Sequence, residues 1–217
     1  ILPTWLGLPP SPILSLSAAL RALLVTALLF LGPLAIELGN GNARPWVLSI
    51  FGELKTLIGV RNYVVGPLSE EFVFRACMVP LMQLAGFGKV AIVLGLPMFF
   101  GIAHLHHMIE YYNLGGRTSE ALRRAVLVSA LQFGYTTVFG WYSTFLFLRT
   151  GHLAAPLVSH MFCNVMGFPD FSVLQAGAKD RTVNLARFVI GVLLFATLLG
   201  PLTDPALFQS AYHGFDA

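Results

Sequence analysis

The chain has 217 residues, of which 56% are hydrophobic and only 11% charged, with a formal net charge of +3 and a mean hydropathy of +0.76. A soluble domain carries about 25% charged residues, and surface-to-volume scaling leaves too much apolar area uncovered for a water-soluble fold of this size. Lipid is therefore the expected solvent, and the scattered basic residues fit loops at anionic headgroups rather than a nucleic-acid footprint.

A spanning helix needs about 20 apolar residues. The first candidate covers 13–38, interrupted by Arg21 and Glu37, and a polar turn follows at 39–42. The mixed stretch 45–60 reads as a short or interfacial helix. A second span, 63–84, contains Glu70, Glu71 and Arg75, and Gly86 and Gly88 end it. The third, 90–108, closes on His104, His106 and His107. The polar segment 110–124 is expected to end in a short amphipathic surface helix over 118–124. The fourth span is 125–148, and a fifth, 153–167, is short enough to cross only part of the bilayer. It carries Pro156, His160 and Asn164. After a polar loop at 169–181 the sixth covers 183–202.

These runs are longer than the ten or so alternating residues of a membrane β-strand and apolar all round, so helices are expected. The predicted fold is all-α: a polytopic transmembrane bundle of about six to eight helices, one domain over 1–217. The chain starts at Ile1, shows no signal peptide, and is expected to lack part of its N-terminus. Basic residues fall in loops on both sides, so charge asymmetry does not set the orientation. Cys77 and Cys163 sit in apolar runs without a CxxC pattern and read as buried, reduced thiols.

An ionisable residue in a span costs on the order of 3 kcal/mol or more, and the second span holds three within six positions. Glu71 and Arg75 are four apart and share a face, so they can pair; such a pair serves equally well as a packing device. Glu70 points about 100° away and has no local partner. An unpaired buried carboxylate favours its neutral form or seeks a donor on another helix, and intramembrane acids of this kind are functional candidates by default. His160 and Asn164 lie one turn apart on one face. A lone histidine on an apolar helix is usually a core residue, but two such helices beside spare carboxylates point to one wet pocket holding Glu70, His104, His160 and Asn164. A carboxylate there can act as general base towards water. A histidine and an amide can donate to a developing oxyanion. Ser159 and Cys163 have no obvious base partner, which disfavours nucleophilic catalysis.

The same residues form three ordered motifs: E-E-x-x-x-R at Glu70, Glu71 and Arg75, F-x-x-x-H at Phe100 and His104, and H-x-x-x-N at His160 and Asn164. Together with the surrounding runs GPLSEEFVFRACMVPL, FFGIAHLHHMIE and FGWYSTFLFLRTGHLAAPLVSHMFCNVMGFPDF, this set resembles the type II CAAX prenyl protease family, the Ras-converting CAAX endopeptidases, in its eukaryotic branch. The likeness covers about 61–171. It implies a glutamate-dependent protease of the endoplasmic reticulum membrane, open to the cytosol, that removes the last three residues of prenylated C-a-a-X proteins such as Ras-like small GTPases. It implies no metal or other cofactor. It further implies that Glu70 and His104 activate water, that His160 and Asn164 form the oxyanion site, and that Glu71, Arg75 and Phe100 support them. His106 and His107 have no implied role and read as accessory or loop residues.

Three rival readings remain. Glu70, His104 and His160 supply the ligand number of a catalytic zinc site, although no HExxH is present. A non-catalytic membrane scaffold of the same superfamily would not need a spare glutamate opposite a His–Asn pair. A proton-relay transporter would be expected to show internal repeats, and none is evident.

Overall fold

A computed structural model describes residues 2–39 and 43–212, and every regular element among them is helical. Most of the 39–42 turn expected from sequence lies outside the described residues. After the short α1 (Leu2–Trp5) comes α2 (Pro12–Leu29). Its Ser11 cap accepts from the Leu14 N–H, and Pro12 stands where a missing N–H costs nothing. The single span expected over 13–38 is divided, because Pro33 near the start of α3 (Leu31–Gly39) has no N–H to offer the carbonyl four residues back. The stretch 45–60 becomes α4 (Ala43–Glu53) and α5 (Leu57–Val60).

From Leu57 to Leu84 the chain is one composite helical rod. α5 passes into a π-helical turn (Arg61–Val65), then α6 (Gly66–Glu71), a second π turn (Phe72–Cys77) and α7 (Met78–Leu84). Wide turns of this kind recur at functional sites, and here they flank the two glutamates.

The third expected span is split into α8 (Lys89–Ala103) and α9 (His106–Leu114). The break has a local cause. His104 Nδ1 lies 2.8 Å from the Phe100 carbonyl that a continuing helix would offer to the His104 N–H, and that N–H bonds Gly101 O instead.

The amphipathic surface helix expected at 118–124 is not separate from the fourth span. Both belong to α10 (Ser119–Thr150), 32 residues long. Thr118 caps its start, no breaker intervenes, and Gly151 at φ +68° ends it in a left-handed conformation that glycine accepts without strain. α11 (Ala154–Met166) and α12 (Arg181–Leu202) follow closely the fifth and sixth expected spans.

α8 packs along α10, and α11 and α12 pack on α2. The α8–α10 approach is close because Gly101 sits against Phe133 and Thr137, and Gly140 against Pro97. Polarity is inverted relative to a soluble protein. Thr26, Glu71, Arg75, Ser143, Thr144, Ser159 and His160 are buried, while α12 turns Val189, Ile190, Val192 and Leu193 outwards and buries only Asn184 and Gly191. Among the described residues three helical stretches, Pro12–Leu29, Lys89–Leu114 and Arg181–Leu202, are long and apolar enough to cross a membrane. α10 is longer than a bilayer core requires but carries a buried polar stripe at Ser129, Thr136, Thr137, Ser143 and Thr144. The chain is thus an all-α membrane bundle.

Candidate active site

The site begins with a buried carboxylate. Glu71, fully buried at the end of α6, receives Arg75 Nη1 at 3.0 Å and His160 Nδ1 at 2.7 Å on Oε1, and Ser143 Oγ at 2.6 Å on Oε2. Because an ionised carboxylate only accepts, all three partners donate. Arg75 is equally buried; its Nη2 lies 3.4 Å from the Gly140 carbonyl, and its guanidinium stands over the Phe100 ring, 4.9 Å from the centroid. The pair expected from the i,i+4 spacing is present. Its neighbours tie it to α10 and α11, so it fixes three elements at once.

Glu70 points elsewhere. About a third of its side chain is open, and Oε2 lies 3.7 Å from Nε2 of His160. That is too long for a direct hydrogen bond. A water or a substrate oxygen placed beside the two atoms can reach both. His160 therefore stands between adjacent glutamates, its Nδ1–H given to Glu71 and its Nε2 facing Glu70.

Phe100 links the two histidines of the motifs. Its ring meets His104 edge-on at 4.8 Å between centroids and His160 at 6.2 Å. Since a carbonyl only accepts, His104 Nδ1–H donates to Phe100 O, which leaves Nε2 as the ring nitrogen available for other work. Asn164 is exposed, and its Nδ2 donates to the backbone carbonyl of Asn62 at 2.9 Å. The second N–H of that amide remains for another acceptor.

His106 and His107 lie on α9, with His107 Nδ1 3.2 Å from Glu110 at the surface. Ser159 faces α2, where its hydroxyl joins Thr26 and Tyr142. Cys77 and Cys163 are free thiols. Among the described residues no three His, Cys, Asp or Glu side chains converge with the spacing of a metal site.

Sequence reasoning missed Ser143 and Asn62. The available signal for Ser143 was a small hydroxyl in the apolar run of α10. For Asn62 it was Pro67: Gly66 N–H bonds Arg61 O in the π turn, and Pro67 has no N–H for the Asn62 carbonyl five residues back.

The family model of Type II CAAX prenyl endopeptidase Rce1-like proteins matches residues 52–166, the stretch that holds all of these side chains except Thr26. The chain is 42% identical over 206 residues to the human protein named CAAX prenyl protease 2, covering 89% of this chain and 60% of that protein. It is 38% identical over 208 residues to the Arabidopsis thaliana protein of the same name, covering 87% and 64%. With the Schizosaccharomyces pombe protein named probable CAAX prenyl protease 2 it shares 37% over 186 residues, covering 85% and 67%. This chain thus spans about three fifths of the length of the first two relatives. No solved structure matches. On the match across more than half its length and on these identities, the chain belongs to the Rce1-like type II CAAX prenyl endopeptidase family.

Proposed function

We propose that the chain is an intramembrane endopeptidase that removes the C-terminal three residues of prenylated C-a-a-X proteins, Ras-like small GTPases among them, in the endoplasmic reticulum membrane with its site open to the cytosol. Family membership supports the class of reaction, and the names of the relatives supply the substrate class. The observation that carries the assignment of roles is the division of labour between neighbouring glutamates. Glu71 is saturated by three donors, whereas Glu70 keeps an open carboxylate beside His160 Nε2.

In this reading Glu70, with His104, takes a proton from water as the water oxygen bonds to the scissile carbonyl carbon. The carbonyl oxygen becomes an oxyanion held by His160 Nε2–H and the Asn164 amide. Because Nδ1–H is already given to Glu71, donation from Nε2 calls on the imidazolium, whose charge faces both glutamates. Collapse breaks the C–N bond, and the proton on Glu70 passes to the leaving amine. No side chain bonds covalently to the substrate in this scheme. Phe72 and Phe99 are exposed on the same elements. They suit a prenyl chain, each methylene of which gains about 0.8 kcal/mol in an apolar phase.

Incubating the purified protein with a farnesylated C-a-a-X peptide and weighing the products tests the reading. Release of an intact a-a-X tripeptide is expected. An untouched peptide in the presence of folded protein would move the chain to the scaffold reading.

A further inference from the structure

We propose that Ser143 is a positioning residue of this site, holding the Glu71 carboxylate in the plane that orients His160; the inference rests on the hydrolase reading above. Ser143 is fully buried on α10, and its Oγ lies 2.6 Å from Glu71 Oε2, 72 positions away in the chain. A serine inside a helix commonly returns its hydroxyl to the carbonyl one turn back. Here the single hydroxyl proton goes to the carboxylate instead.

The other two donors, Arg75 Nη1 and His160 Nδ1, both fall on Oε1. Two donors on one oxygen leave the carboxylate free to turn, because the terminal torsion of a glutamate is broad and has no sharp staggered wells. A donor on Oε2 removes that freedom. With the plane fixed, Oε1 meets the His160 Nδ1–H along one direction, and the opposite ring nitrogen is aimed at Glu70 Oε2. Ser143 thus acts on the reacting groups through Glu71 and His160. A carboxylate that accepts from a histidine's far nitrogen fixes the direction of the ring, and Ser143 stands one bond further out.

The test compares wild type, Ser143→Ala, Ser143→Thr, Glu71→Gln and the Ser143→Ala/Glu71→Gln double variant. It measures kcat and KM on a farnesylated C-a-a-X peptide, with thermal unfolding in the same detergent. Ser143→Ala is expected to lower kcat about ten- to hundredfold, the usual worth of a hydrogen bond to a charged group, and to leave KM within about twofold. Ser143→Thr, which keeps the hydroxyl, recovers most of the rate. In the Glu71→Gln background the alanine change has little further effect, because the route runs through Glu71.

A purely structural role gives another pattern: equal losses in both backgrounds and no rescue by a folded threonine variant. That pattern overturns the proposal, as does a Ser143→Ala enzyme with wild-type kcat. A wild type that leaves the peptide intact overturns the hydrolase reading and this role together. A cleaving wild type with an unaffected alanine variant overturns this role alone.

Discussion

Asn164 donates its side-chain amide to the backbone carbonyl of Asn62, 2.9 Å away and 102 residues earlier in the chain. The carbonyl is free because the π turn directs the Gly66 N–H to Arg61 O, and Pro67 has no N–H to give. A local irregularity of one helix thus orients a side chain on another. Removing the amide in Asn164→Ala is expected to lower kcat about 10²- to 10³-fold, as for loss of an oxyanion donor. Pro67→Ala, which restores a competing N–H, is expected to lower it about two- to tenfold. Steady-state kinetics on a prenylated peptide check both values, and an unaffected Asn164→Ala enzyme would remove Asn164 from the oxyanion site.

The buried Glu71–Arg75 pair sets a contrast between stability and rate. Arg75→Ala leaves Glu71 and its charge without the guanidinium and is expected to cost about 3–5 kcal/mol, visible as a large fall in melting temperature in detergent. Replacing both partners with apolar residues, as in Glu71→Leu with Arg75→Met, is expected to recover most of that stability. It does not recover activity, because His160 loses the acceptor of its Nδ1–H. A double variant both stable and fully active would show that Glu71 does nothing for His160.

Two glycines of α8 offer a matched comparison. A Cβ on Gly101 would lie 2.7 Å from Thr137 Oγ1 and 2.8 Å from the Phe133 ring, whereas one on Gly95 meets nothing within 4 Å. Gly101→Ala is expected to cost about 1–3 kcal/mol through overpacking. It also displaces His104, one turn on, with a loss of up to about 10²-fold in rate. Gly95→Ala is expected to be neutral or to stabilise by about 0.5–1 kcal/mol. Melting temperatures and kcat of the two variants, measured side by side, decide it.

His152, in the link between α10 and α11, ties three parts of the chain. Its Nε2–H donates to Phe208 O at 3.3 Å, and Nδ1 lies 2.9 Å from the Ser15 hydroxyl. Burial pushes its pKa below the ordinary histidine value, the Phe208 carbonyl opposing only in part. The unfolded chain therefore takes up the proton first on acidification. Its stabilising contribution is complete above about pH 6.5 and is lost as the pH falls below that value. The melting temperature of wild type is expected to drop more steeply between about pH 7 and about pH 5.5 than that of His152→Gln, while kcat at neutral pH stays similar in the two. Parallel pH slopes would contradict this.

The helical membrane class was legible because apolar runs of spanning length need no tertiary information. The pairing of Glu71 with Arg75 followed from i,i+4 spacing alone. What stayed hidden depended on contacts between distant segments. The placement of His160 between Glu70 and Glu71 needs the packing of α11 on α6. Ser143 looked like any small polar residue in an apolar run, since nothing local marks the helix it faces. The boundaries at Phe30 and His104 were missed for a different reason. A proline's missing donor and a histidine that captures a carbonyl of its own helix act within one turn, below the resolution of hydropathy. The boundary expected between 124 and 125, inside α10, failed because Arg123 and Arg124 change polarity without breaking a helix.

The most direct measurement is single-turnover cleavage of a farnesylated C-a-a-X peptide by wild type and by Glu70→Gln, each with and without a strong zinc chelator. Cleavage by wild type that survives the chelator, with a Glu70→Gln rate lower by about 10²- to 10⁴-fold at an unchanged melting temperature, is the expected result. A folded Glu70→Gln protein that cleaves like wild type, or a wild type silenced by the chelator and restored by zinc, would contradict the assignment of Glu70 as the general base of a metal-independent protease.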